Sequence, residues 1–279
     1  MAEVKELIQK YLPQVLEHRR HIHAHPELTG QEKETAAYIA QVLRDMGLKP
    51  VENVGGYGVV ALIEGRGPGK VVGLRADIDA LPLTECTGLP FASQNPGVAH
   101  SCGHDTHAAM LLGAAYVLNE LRDQFDGTVK LIFQPAEEGV RGAKAIVEKG
   151  HLDGVQYLLG SHISSNDGSD AQVTPGSFGS LATCKYDVLF TGKPAHAGAA
   201  PQAGNNALLA AASAVLNLNA IPRHGSGATR INVGTLHAGS GRNQFTDDNI
   251  FLKTDEWVNL TLDSCFCKNL CGFLEGSCG

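Results

Sequence analysis

The run His100-Ser101-Cys102-Gly103-His104-Asp105-Thr106-His107 gathers three histidines, a cysteine and an aspartate into eight residues. Thiolate and imidazole are donors that suit zinc or a similar transition metal. In an extended segment, residues two apart point the same way, with about 6.5 Å between Cα atoms. Cys102 and His104 could therefore converge on one ion, with His100 as a spare donor. Asp105 could bridge a second ion, or orient a ligand histidine through a hydrogen bond. Two other readings stay open. One is a buried cysteine beside a hydrogen-bonded histidine. The other is a Cys102 nucleophile with a histidine base, an alignment that close sequence neighbours rarely achieve.

A second concentration is Gln134-Pro135-Ala136-Glu137-Glu138-Gly139, directly after the apolar run VKLIF. Adjacent carboxylates usually diverge, so one could bind a metal while the other faces an activated water as general base. A solvated surface pair is the bland alternative. Leu74-Arg75-Ala76-Asp77-Ile78-Asp79 puts charge at the tip of another apolar run, and His162 follows YLLG in the same way. Arg75 could simply pair with Asp77 or Asp79. Ligands of α/β sheets collect at the carboxyl ends of strands, and four such ends carrying His, Asp, Glu or Cys outline one metal site.

The elements that must position these residues follow from periodicity. Residues 4–17 place Val4, Leu7, Ile8, Tyr11, Leu12, Val15 and Leu16 on one helical stripe, and 31–46 repeat the pattern up to Gly47. Strand-like runs at 58–63, 70–74, 129–133 and 157–160 alternate with helical stretches at 106–121 and 141–149. That alternation predicts an α/β layer with a largely parallel sheet. After residue 180 the texture changes. The runs 185–191 and 229–236 alternate like half-buried antiparallel strands around an Ala/Leu-rich helix at 205–218, a smaller α+β unit.

Composition narrows the function classes. The 279 residues are 43% apolar and 18% charged, enough for a sizeable core. Twenty-two basic against 29 acidic residues leave a net charge of −7 with no basic stripe, which argues against a nucleic-acid partner. No apolar run approaches the ~20 residues of a membrane helix, and the amino terminus lacks a signal-peptide core. The expectation is a cytoplasmic globular protein. Cys86, Cys102 and Cys184 are scattered, as suits a reducing compartment, whereas Cys265, Cys267, Cys271 and Cys278 crowd the carboxyl terminus.

The segments RRHIHAHPEL (19–28), LRADIDALPL (74–83), HSCGHDTHAAMLLGAA (100–115), QPAEEG (134–139) and GKPAHAGAAP (192–201) resemble the aminoacylase/carboxypeptidase family of metal-dependent amidohydrolases. Within it they are similar to the branch of hippurate hydrolase, auxin-conjugate hydrolases and p-aminobenzoyl-glutamate hydrolase subunits. ATRINVGTLHAGSGRN (228–243) is most similar to the last of these. The resemblance covers roughly 5–245 and implies metal ligands at Cys102, His104, Glu138 and His162 for a pair of divalent ions, Mn²⁺ or Zn²⁺. It implies Glu137 as general base. His196 would be a lid-domain histidine that reaches into a partner subunit's site and stabilises the oxyanion, and Asn243 would help hold the substrate. The implied substrate is a small N-acyl or aminobenzoyl amino acid, and the implied assembly is a homodimer or heteromer through the lid.

The pattern departs from the family at Gln244-Phe245. Family members continue further, and the returning chain supplies another ligand histidine, whereas the last histidine here is His237. The organisation expected is a metal-binding catalytic domain over 1–181, its carboxyl-terminal part missing, an incomplete inserted lid or dimerisation domain over 182–255, and a Cys-rich tail over 256–279. Residues 247–253 could still form a lid strand. The competing expectation is a non-catalytic truncated fragment or partner subunit that keeps the fold without a complete site.

Overall fold

The computed structural model of the chain describes residues 2–139, 142–163, 173, 182–196, 198–224, 229–238 and 250–258. It divides into two compact units, Met1–Gly168 and Ser169–Gly279. Residue 181, where the sequence pattern places the boundary, lies outside the described residues.

The first unit begins with α1 (Ala2–Ala24) and α2 (Lys33–Asp45), then β1 (Val51–Val54), β2 (Gly58–Glu64) and β3 (Val71–Asp77). There follow α3 (His104–Glu120), β4 (Thr128–Gln134), α4 (Gly142–Glu148) and β5 (Tyr157–Gly160). The strands form one sheet in the order β1-β2-β4-β3-β5. The sheet is mixed, where a largely parallel one is expected: β3 runs parallel to β4 and β5, while β1, β2 and β4 pair antiparallel. For β1 and β2 the reason is local. Gly55 and Gly56, at φ of +67° and +119°, turn the chain back three residues after β1 ends, too tightly for a parallel crossover.

Alternation along β2 and β4 assigns the two faces. Val59, Ala61, Ile63, Leu131 and Phe133 join Ile39 and Leu43 of α2 and Ala108, Leu112 and Ala115 of α3 in the main core. Val60 and Ile132 point the other way, onto Ile146 of α4 and Val54. Helices thus cover both faces, which explains why these strands read as near-continuous apolar runs. Only part of the α1 stripe is sheltered, since Val4, Ile8, Leu12 and Leu16 remain exposed. The helix also runs past the predicted end at residue 17, through a His/Arg-rich segment in which only Ile22 enters the main core.

The second unit contains β6 (Ala182–Phe190), α5 (Ala207–Ala220), β7 (Thr229–His237) and β8 (Ile250–Val258). They make an antiparallel sheet in the order β6-β8-β7. Asn206 caps α5, its Oδ1 accepting from the Leu208 and Leu209 amides, and Ala207 and Ala211 pack beside Phe190. Of the strand expected over 247–253, residues 247–249 lie outside the described residues; β8 covers Ile250–Val258 and pairs at Val258 with Ala182 and Thr229, so residues 256–258 are in the sheet. Residues 259–279, with the clustered cysteines, lie outside the described residues. No described helix is long and apolar enough to cross a membrane.

Leu112 is fully buried between α3 and the sheet. Leu112→Ala should lower the unfolding free energy by about 3 kcal/mol through lost transfer energy and a residual cavity. Urea titration followed by circular dichroism checks this; a loss under about 1 kcal/mol would mean the α3 contact relaxes around the cavity.

Candidate functional site

The parallel strands β4, β3 and β5 end along one edge, with Asp77 opposite Gln134 and Arg75 opposite Gly160. The segments leaving that edge carry Asp79, the Glu137-Glu138 pair and His162, and α3 begins beside them at His104. Cys102 and His104 do converge, though not along an extended segment. Gly103 between them has φ +89°, and a Cβ there would stand 2.3 Å from Ile163 Cδ1. The left-handed turn is what favours glycine here, while the clash would fall on the end of a side chain that can rotate away.

Three groups of candidate ligand atoms lie within 4.8 Å of one another: Cys102/His104/His162, His104/Glu137/Glu138 and Asp77/His104/His107. His104 is common to all three. Its Nδ1 faces the Asp79 carbonyl oxygen at 2.8 Å and Asp79 Oδ1 at 3.1 Å, which makes Nδ1 the donor. Its Nε2 is buried, without a hydrogen-bond partner among the described residues, and lies 4.0 Å from both Glu137 Oε2 and Glu138 Oε1. Cys102 Sγ and His162 Nε2 are 3.4 Å apart.

The electrostatics of these groups agree. Burial works against a charged His104, yet its hydrogen bond to Asp79 and the charges of Asp77 and Asp79 hold its pKa above the ordinary histidine value. Burial, then Glu138 and Asp77, raise Glu137. Burial, then Glu138, Glu137 and Asp77, push the Cys102 thiol up to about 12. Each of these shifts has neighbouring negative charge among its causes, and a cation there would reverse the carboxyl and thiol shifts. The unpartnered Nε2, the sulfur and the carboxylates fit a metal ion. A thiol this far from ionisation does not fit the Cys102 nucleophile.

Further hydrogen bonds fix the surroundings. Asp79 Oδ2 accepts from Thr29 Oγ1 at 2.7 Å and from the Glu138 amide at 3.0 Å. These bonds and the His104 contact outweigh burial and bring the Asp79 pKa down to about 2. His107 accepts the Ile163 amide at Nε2 (2.9 Å), so its Nδ1 is the donor to Asp77 Oδ1 at 2.5 Å. Arg75 pairs with Asp77 at 2.7 Å and reaches Gln134. These orienting roles of Asp79 and His107 go beyond what the sequence pattern assigns them. The available signals were Asp-x-Asp closing a strand and a second histidine one helical turn after His104.

Two expectations are corrected. His100 is buried and belongs to none of the ligand groups among the described residues, so it does not supplement Cys102 and His104 there. Asp105 is also outside them: its Oδ2 accepts from Arg19 Nε at 3.1 Å and His23 Nδ1 at 2.9 Å, tying α1 to the start of α3. Between the Glu side chains Glu137 is the more exposed, 42% against 22% for Glu138. Ala136 before them has φ +52°, a left-handed conformation that costs a non-glycine residue about 1–2 kcal/mol.

In the second unit His196 is exposed. Its Nδ1 accepts from the Gly198 and Ala199 amides at 3.1 and 3.0 Å, so the neutral ring carries its proton on Nε2. Asn243 lies outside the described residues.

The sequence pattern of Peptidase family M20/M25/M40 matches residues 73–237. The indole-3-acetyl-aspartic acid hydrolase of Enterobacter agglomerans is 39% identical over 289 residues, 87% of this chain and 66% of its own. A p-aminobenzoyl-glutamate hydrolase subunit of Escherichia coli K12 is 48% identical over 197 residues, 68% of this chain and 45% of its own. Among solved structures, a dinuclear metal-binding M20 peptidase of Bacillus subtilis superposes with a TM-score of 0.65 at 29% identity, over 96% of this chain and 69% of that one. The chain thus spans between about half and two thirds of the length of these curated relatives.

Neither ring nitrogen of His100 has a partner among the described residues, and burial pushes its pKa down to about 4 from an ordinary 6.5. Between pH 6.5 and 4 the unfolded chain therefore takes up this proton first, and stability falls as pH is lowered through that window. Thermal unfolding of His100→Leu should show a shallower decline over that range than the parent chain. Parallel curves would mean that the folded ring is already open to protons.

Proposed function

The chain belongs to Peptidase family M20/M25/M40, and from that premise we propose that it is a metal-dependent amidohydrolase cleaving the amide bond of N-acyl or aminobenzoyl amino acids. The observation that carries this reading is the buried, unpartnered His104 Nε2, set among a thiol, a second imidazole and two carboxylates. Cys102, His104, Glu138 and His162 would hold a pair of divalent ions, with sulfur and nitrogen donors suited to Zn²⁺ and the carboxylate side suited to Mn²⁺. When bound, such ions polarise the amide carbonyl and make water acidic enough to be deprotonated near neutral pH.

Glu137, the more exposed carboxylate, takes the water's proton as the new C–O bond forms. It returns that proton to the amine nitrogen as the C–N bond breaks, giving a carboxylic acid and an amino acid. His196 offers a proton on Nε2 and can donate to the carbonyl oxygen as charge develops there, from the lid of a partner subunit in a homodimer or heteromer. Asn243 would hold the substrate. The relatives' names favour the substrate class: indole-3-acetyl-aspartate and p-aminobenzoyl-glutamate both join an aromatic acyl group to an acidic amino acid. The free thiols Cys86 and Cys102 favour a reducing, cytoplasmic setting.

Elemental analysis beside hydrolysis of hippurate and p-aminobenzoyl-glutamate, with added Mn²⁺ or Zn²⁺, tests the proposal. The expected result is near-stoichiometric metal with turnover, which Glu137→Gln lowers by at least about 100-fold while the metal is retained. Cys102→Ser should instead lose metal. Bound metal without turnover would favour the alternative, a non-catalytic chain that keeps the fold.

A further inference from the structure

Glu32 closes the loop before α2 and is fully buried, although a lone carboxyl gains nothing from burial. Its Oε1 accepts two backbone amides, Gly30 at 2.7 Å and Ala136 at 2.9 Å, the second 104 positions away along the chain. Its Oε2 is buried without a hydrogen-bond partner among the described residues. Nothing in the α2 cap explains this placement, because the side chain makes no capping bond to the helix.

The Ala136 end of the contact explains it. β4 ends at Gln134, Pro135 has no amide hydrogen, and Ala136 stands at φ +52° immediately before Glu137 and Glu138. On the other side the Ala136 carbonyl accepts the Gly142 amide at 3.1 Å, and a Cβ at Gly142 would lie 1.9 Å from the Pro135 oxygen. Ala136, the residue that aims both carboxylates, is therefore held at its N–H by Glu32 and at its carbonyl by the start of α4. Without the Glu32 acceptor, a buried amide would lose its partner, and Ala136 would be drawn towards the ordinary right-handed or extended regions. Either change swings Glu137 and Glu138 away from His104.

We propose that Glu32 is a positioning residue for the Glu137-Glu138 pair, acting through the Ala136 amide and contacting neither metal nor substrate. This rests on the functional reading above, so the test includes measurements that do not depend on hydrolysis. Gln at position 32 keeps an acceptor oxygen in place, whereas Leu keeps bulk and removes it. The full chain is titrated with Co²⁺ and followed by visible absorption, alongside kcat, KM and thermal midpoint.

Glu32→Leu should bind Co²⁺ about 10-fold more weakly or worse. It should lower kcat by roughly 10- to 100-fold, with KM changed less than about twofold. Glu32→Gln should stay within about threefold of the parent in each quantity. Adding Ala136→Gly to Glu32→Leu should recover part of the Co²⁺ affinity, because glycine holds φ +52° without a clamp. In the unaltered chain the Ala136 amide should be as protected from hydrogen exchange as those of β4. A folded Glu32→Leu with parental Co²⁺ affinity would overturn the proposal, and so would an Ala136 amide that exchanges at the free rate. If Glu32→Leu does not fold, Glu32→Gln and the exchange rate decide. A parent chain that binds Co²⁺ but hydrolyses nothing would refute the amidohydrolase reading, while the Glu32 comparison of Co²⁺ affinity would still stand or fall by itself.

Discussion

Everything at the strand edge depends on one unfavourable arrangement, several carboxylates and a thiol brought together around the buried Nε2 of His104. Left alone, carboxylates crowded in a poorly solvated place raise one another's pKa and resist ionisation. The raised Glu137 and Cys102 show that response, and the raised His104 is its counterpart in a base. Asp79 is the exception that makes the arrangement possible. Three donors hold it ionised, and it turns His104 so that Nε2 faces inward. The fold maintains this because its donors sit on the loops that leave β4 and β5 and at the start of α3, elements anchored by the sheet register and the main core.

The strand ends that carry chemistry are legible in the sequence, because an apolar run followed at once by charge, repeated along the chain, is rarely a coincidence of surface loops. Glu137, Glu138 and His162 stand out on that basis, Cys102 and His104 by the density of histidine and cysteine over 100–107, and the proximity of the strand-end groups follows from topology. The convergence of Cys102 with His104 is anticipated through the wrong backbone: the left-handed Gly103 produces it, and side-chain direction across such a turn cannot be read from strand spacing. Hydrogen-bond partners are less legible still. Asp105 sits beside His104 in sequence and yet serves α1, through Arg19 and His23, since the side chain of the second residue of a helix can point away from that of the first.

The fold itself is legible where periodicity is strong and illegible where tertiary contacts decide. β1 is four residues with two polar side chains and carries almost no signal, so the antiparallel half of the sheet leaves no trace in the pattern. The second half of α1 is mostly polar because Arg19 and His23 face the carboxylate of Asp105, with Ile22 alone entering the main core from residues 18–23. In the second unit the strands alternate clearly and the helix is nearly all Ala and Leu, so the architecture follows from pattern alone. Its β8 ends three residues later than expected for the domain, because strand length is set by the partners β6 and β7, which run opposite it to Val258.

The donor groups around His104 are chemically unlike one another, and that difference is built from loop geometry. On the Cys102 and His162 side the donors are a thiol and an imidazole, brought to 3.4 Å by the tight passage of Ile163 over Gly103. On the other side they are the two carboxylates that follow Ala136. His107 links the sides indirectly, because it donates to Asp77 and accepts the amide next to His162. A sulfur donor favours a softer ion and an oxygen donor a harder one. Under the proposed metal reading, loading the sulfur side would have to expel the proton that burial and the neighbouring carboxylates hold on Cys102, a group that starts much further from ionisation than a carboxyl. Affinity on the sulfur side should therefore rise more steeply with pH. The asymmetry follows from placing one cysteine at the start of α3 and two carboxylates at the end of β4, with a single imidazole shared between them.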